Sequence, residues 1–90
     1  MWIIYIVKCS DGTLYTGITT DVRRRLREHN TKIGAHYTKS RAPVKLVYKE
    51  KRETRSAALK REFQIKSWTR AEKLAFIKEN MKPLKKRSRL

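Results

Sequence analysis

Glu62 stands in a setting that constrains what this chain can do. Read as a helix, residues 56–68 place Ala58, Leu59, Phe63 and Ile65 on one apolar arc, and Glu62 projects from inside it. Burying an unpaired carboxylate costs roughly several kcal/mol, so Glu62 needs a cation, a proton or a water-filled cleft. Other reactive groups lie earlier in the chain. Tyr5 and Tyr15 carry phenols, which accept a proton near neutrality only beside a cation, because their ordinary pKa is about 10. Arg25 carries a permanent charge able to hold two oxygens at once, and His29, one helical turn later, titrates near neutral pH.

These side chains can meet only if the elements that carry them agree. Residues 2–9 are a continuous apolar, β-branched run, Ser10-Asp11-Gly12 marks a turn, and residues 13–17 resume strand character, which together predict an N-terminal β-hairpin. A three-residue loop with Gly12 in the left-handed region pairs Cys9 with Thr13 and Val7 with Tyr15, and puts Tyr5 and Tyr15 on one face; a two-residue turn would separate them. Thr20 or Asp21 caps a helix running to about Asn30, with Val22, Leu26 and His29 on its inner stripe. Arg25 sits at the edge of that stripe, whereas Arg24 points to solvent. Residues 31–43 read as a loop. Residues 44–49 alternate as a third strand, with Val44, Leu46 and Tyr48 on one face and Lys45, Val47 and Lys49 on the other. After the helix bearing Glu62, Thr69-Arg70-Ala71-Glu72 is a capping box that opens a last helix to about Glu79. The order predicts an α+β fold, a small three-stranded antiparallel sheet flanked by helices. Residues 1–80 make a single domain and residues 81–90, basic and with little to bury, a flexible arm.

Charge narrows the partner. The 90 residues hold 24 Lys and Arg against 8 Asp and Glu, a formal net charge of +16. Such an excess, dispersed along the whole chain, fits contacts to a phosphate backbone, so nucleic acid is the expected partner. No basic amphipathic helix, lipidation motif or long apolar run suggests a membrane, and no signal peptide is visible, so a cytoplasmic location is expected. Cys9 is the single cysteine, which excludes an internal disulfide and any multi-cysteine zinc site.

Ile3-Ile4-Tyr5, Tyr15-Thr16-Gly17, Arg25 and Glu62 occur in the order and spacing of the signature of the GIY-YIG nuclease superfamily, and the chain resembles its small stand-alone, single-domain (UPF0213-like) members over nearly its whole length. Runs such as LYTGITTDVRRRLREHN and GAHYTKSRAPVKLVY are similar to theirs. The chain departs from the pattern at Ile3, where the family has glycine, at Thr16, where it has isoleucine, and at Ile18, where some relatives carry a lysine that assists the nucleophile.

The resemblance implies a metal-dependent endonuclease that hydrolyses phosphodiester bonds in DNA. Glu62 would be the protein ligand of one Mg2+ or Mn2+ ion, Arg25 would stabilise the transition state, Tyr5 or Tyr15 would act as base or orient water, and His29 would carry a proton or touch phosphate. The expected nucleic-acid contacts are Gly17, Arg24, Lys39, Arg41 and Lys66. Other readings stay open at this level: a basic DNA- or RNA-binding module without catalysis, a nuclease subunit whose specificity comes from a protein partner, and an ordinary Glu62–Lys66 ion pair in place of a metal site.

Overall fold

The computed structural model describes residues 1–31 and 43–89, the last nine by their backbone alone. Strands β1 (Trp2–Lys8), β2 (Leu14–Thr19) and β3 (Lys45–Arg52) form one antiparallel sheet in the order β2-β1-β3, with helix α1 (Val22–Asn30) between β2 and β3 in the chain, and α2 (Arg55–Lys66) and α3 (Arg70–Arg89) after them. This is the expected α+β architecture. Alternation along β1 serves both faces of the sheet. Ile4 and Ile6 pack with Ala58, Ile65 and Ile77 of α2 and α3, while Tyr5 and Val7 pack with Cys9, Val44 and Leu26 on the α1 side.

The hairpin adopts the three-residue loop. Cys9 N–H donates to the Thr13 carbonyl at 2.8 Å, Gly12 takes φ +87°, and Val7 lies opposite Tyr15. Asp11 closes the turn by accepting from the Thr13 amide at 3.1 Å and its hydroxyl at 2.6 Å. An Arg70 guanidinium hydrogen bond of 2.7 Å to the Gly12 carbonyl ties the turn to α3, whose reciprocal Thr69–Glu72 capping box forms as predicted.

Two expectations about faces are corrected. In β3, strict alternation fails because a bulge shifts the register: Ile6 pairs with Tyr48, but Val7 pairs with Leu46. Val47 is the extra residue, so Leu46 packs on the α1 side while Val47 and Tyr48 pack on the other. In α2, the apolar pattern puts Leu59 and Phe63 inside, yet they are 38% and 78% exposed. The inward stripe is Ala58, Arg61, Glu62 and Ile65. Arg61 turns the helix this way: it makes two hydrogen bonds to Glu50 of β3, at 2.9 and 3.3 Å, and lies over the rings of Trp68 and Phe76. Tyr48 donates to the same carboxylate, and Arg52 pairs with it at 2.8 Å. Although burial works against the Glu50 charge, Tyr48 and Arg61 outweigh it and hold the carboxyl below its ordinary range.

Helix α3 also runs past the predicted stop near Glu79, through Arg89.

Thr16 occupies the face of β2 opposite Tyr15, and its hydroxyl is buried with no hydrogen-bond partner among the described residues. Thr16→Val is therefore expected to stabilise the fold by about 1 kcal/mol, raising the melting temperature by about 4–8 °C. Calorimetry checks this, and an unchanged or lower transition would mean that the hydroxyl is satisfied.

Candidate active site

Local structure aims each reactive group. Asp21 caps α1, its carboxylate accepting from the Arg24 amide at 3.0 Å, and this sets the phase that turns Arg25, Leu26 and His29 toward the sheet. At the other end Asn30 binds both backbone groups of Val44, accepting from its N–H at 2.6 Å and donating to its carbonyl at 3.4 Å. Helix α1 is thereby stapled to the entry of β3.

Under this helix three rings converge. The Tyr5 and Tyr15 centroids are 6.4 Å apart, and His29 lies 5.8 Å from the first and 5.4 Å from the second. The Tyr5 hydroxyl and His29 Nε2 are hydrogen-bonded at 2.9 Å, with Tyr5 2% and His29 0% exposed. Gly17, directly opposite Tyr5 on β2, explains how the ring fits: a Cβ there would meet Tyr5 Oη at 2.7 Å and Cζ at 2.9 Å. Gly17 is itself buried, and its contribution is to seat the phenol.

The electrostatics follow from this burial. Desolvation pushes the Tyr5 phenol up to about 12, against the opposing pull of Arg25 and with further upward pushes from Tyr15 and Glu62. Burial likewise lowers the His29 pKa, and the Arg25 charge lowers it further. At neutral pH both groups are uncharged, and in the Nδ1-protonated tautomer Nε2 accepts the Tyr5 hydroxyl proton. Burial works against the Arg25 charge, but Glu28 and Tyr5 outweigh it and raise its pKa.

Glu28 is a site residue that the sequence reading passed over. It pairs with Arg25 at 2.8 Å and with Arg24 at 3.6 Å, and the Arg25 hydrogen bond holds its carboxyl below the ordinary range. The signal was available in the i, i+3 and i, i+4 spacing, which reads equally well as a solvated charge ladder.

Glu62 enters from α2. Its side chain is 16% exposed, its charge acts on the Tyr5 phenol, and Oε2 pairs with Lys66 at 3.2 Å. Among the described residues no group of three acidic, His or Cys side chains could hold a metal, so any cation here would have Glu62 as its main protein ligand. A single carboxylate completed by water and phosphate oxygens suits a hard, magnesium-like cation.

The structure thus brings Tyr5, Tyr15, Arg25 and His29 together around Gly17, with Glu62 close enough to be felt by Tyr5. Arg24 and Lys66 are half exposed at the edges. Lys39 and Arg41, and the loop residues around them, lie outside the described residues.

The buried His29 makes a pH prediction. Its folded pKa is below its ordinary 6.5, so as pH falls below about 6.5 the unfolded chain takes up a proton that the folded chain refuses. Stability present above that pH is lost on acidification, in a window distinct from that of Glu28 and Glu50, whose lowered values act below 4.5. Melting temperatures between pH 7 and 5 should fall for the wild type and fall less for His29→Asn. Equal slopes would place His29 outside the core of the site.

Two phenols on a hairpin, an arginine and a histidine on the next helix and a glutamate on a later one define a particular class of domain. The chain belongs to the GIY-YIG family, its residues 1–75 matching the GIY-YIG catalytic domain, a domain of nucleases that generally use divalent metal ions. It is similar to a UPF0213 protein of Staphylococcus aureus strain Mu3, with 60% identity over 76 residues that cover 84% of this chain and 93% of that protein. Two solution NMR structures share the fold. The UPF0213 protein BH0048 from Bacillus halodurans is 37% identical with a TM-score of 0.56, over 87% of this chain and 84% of that one. Protein EF2693 from E. faecalis is 43% identical with a TM-score of 0.60, over 88% and 84%. Among the described residues, no helix is long and apolar enough to cross a membrane.

Proposed function

We propose that this protein is an endonuclease that hydrolyses phosphodiester bonds in DNA with a divalent cation, Mg2+ or Mn2+, held by Glu62. The observation that carries this reading is the hydrogen-bonded Tyr5–His29 pair beside Arg25, within reach of the Glu62 charge. Arg25 holds two non-bridging oxygens of the scissile phosphate, exchanging Glu28 for substrate, and its charge offsets the one that develops in the transition state. Tyr15 orients the attacking water. Tyr5 accepts the water's proton as its own passes to His29 Nε2, so a phenol with a pKa near 12 takes part without forming a free phenolate; the water oxygen bonds phosphorus as the P–O bond of the leaving strand breaks, the leaving oxygen takes a proton from solvent, and His29 then returns its proton to solvent. The cation, when bound, supplies Lewis-acid stabilisation of the phosphate. Arg24 and Lys66 contact the flanking phosphates, and Lys39 and Arg41 are assigned the same role from their charge alone.

The test is incubation of the purified protein with plasmid, branched and single-stranded DNA in Mg2+ or Mn2+, with an EDTA control. Metal-dependent cutting that is lost in Glu62→Ala and Arg25→Ala is expected. No cutting, or equal cutting by the variants, overturns the proposal. A second reading is favoured by one observation: Arg25 and Glu62 are both already paired within the chain, with Glu28 and Lys66. A non-catalytic nucleic-acid binder predicts salt-sensitive binding indifferent to Glu62 and to metal.

A further inference from the structure

The outer face of α2 carries an aromatic that the fold does not use. Phe63 is 78% exposed, the most exposed large apolar side chain among the described residues, and Leu59, one turn before it, is 38% exposed. At about 100° per residue, Lys66 and Leu59 follow Glu62 around the helix, then Phe63, then Lys60, so an apolar ridge bracketed by two lysines begins at the edge of the candidate site. Lys60 and Lys66 are exposed. Single exposed apolar residues need no explanation, but an aromatic flanked by cations on a chain of net charge +16 is the arrangement that single-stranded nucleic acid selects: cations for the backbone, a ring for the base.

We infer that Phe63 is a base-stacking residue that holds an unpaired nucleotide beside the Glu62 site, with Leu59 supporting the ring and Lys60 and Lys66 on the flanking phosphates. This rests on the reading of the Glu62 site as one that binds nucleic acid. Bases inside a duplex are already stacked on one another, so the ring finds a partner only at a single strand, flap, gap or mismatch. A second copy of this chain is a poor occupant, because its own excess of cations would oppose Lys60 and Lys66.

The experiment is fluorescence anisotropy in EDTA, where no cutting can occur, with a labelled single strand, a flapped duplex and an intact duplex of equal length. Phe63→Ala should weaken binding to the strand and the flap by about tenfold, leave the intact duplex within about twofold, and keep the wild-type melting temperature; Phe63→Trp should retain the affinity. Equal losses on all three probes, or none, overturn the inference. So does a dimer in sedimentation that Phe63→Ala splits, which would assign the ridge to self-contact. Because this readout needs no catalysis, a protein that binds in this way but never cuts loses the nuclease reading and keeps this one.

Discussion

Glu62→Gln is expected to lower the rate of DNA cleavage by about a hundredfold or more while leaving the fold intact. The amide keeps the shape of the carboxylate and removes the charge that a divalent cation requires. The structural cost is small: the Lys66 partner is half exposed, and such i, i+4 pairs contribute about 0.3–0.5 kcal/mol. Initial rates of plasmid nicking, set beside a thermal melt, separate the two effects. Lys66→Ala removes the same ion pair from the other side together with one flanking phosphate contact, so it should weaken DNA binding but, at saturating DNA, lose far less rate than Glu62→Gln. If Glu62→Gln cut as fast as the wild type, Glu62 would be only a surface-edge ion pair. DNA affinity measured in EDTA should not fall in Glu62→Gln, because a negative charge has been removed from a phosphate-binding surface.

The second large effect belongs to a residue with no functional group. In Gly17→Ala the new methyl would stand 2.7 Å from Tyr5 Oη and 3.2 Å from Tyr15 Cε2. Tyr5 is 2% exposed, so a displaced ring must push against the groups packed around it. The variant is expected to lose about 1–3 kcal/mol of stability through overpacking. It should also lose about a hundredfold in rate, since displacing Tyr5 by about 1 Å breaks its alignment with His29. The origin of the clash can be checked directly. Tyr5→Phe removes the nearest contacting atom, so Gly17→Ala combined with Tyr5→Phe should cost less stability than the separate changes predict. Urea denaturation of the four proteins measures this coupling, and strict additivity would rule out the steric explanation.

Much of this arrangement is legible in the chain because it follows from local rules. Gly12 after Asp11 selects the loop that pairs Val7 with Tyr15, and that register alone commits both phenols to one face. The Asp21 cap fixes the phase of α1, which separates Arg25 from Arg24. What stays hidden depends on partners distant in sequence. The face of α2 is misread because its apolar residues are taken as its inward residues, whereas Arg61 turns inward to meet Glu50, eleven positions earlier on β3. The bulge at Val47 adds a residue without a glycine or proline to mark it. Glu28 looks like one rung of a solvated ladder until the fold brings its Arg25 partner against the phenols.

Within β1, Tyr5 stands between Ile4 and Ile6, which are both fully buried on the opposite side. Reagent and glue are therefore interleaved in one ribbon, residue by residue. A lineage could swap isoleucine for valine in the glue, or retune the reagent, without disturbing the other. A single residue inserted between Tyr5 and the Gly12 turn would exchange the two roles at a stroke. The strand is thus tolerant of substitution and intolerant of length change.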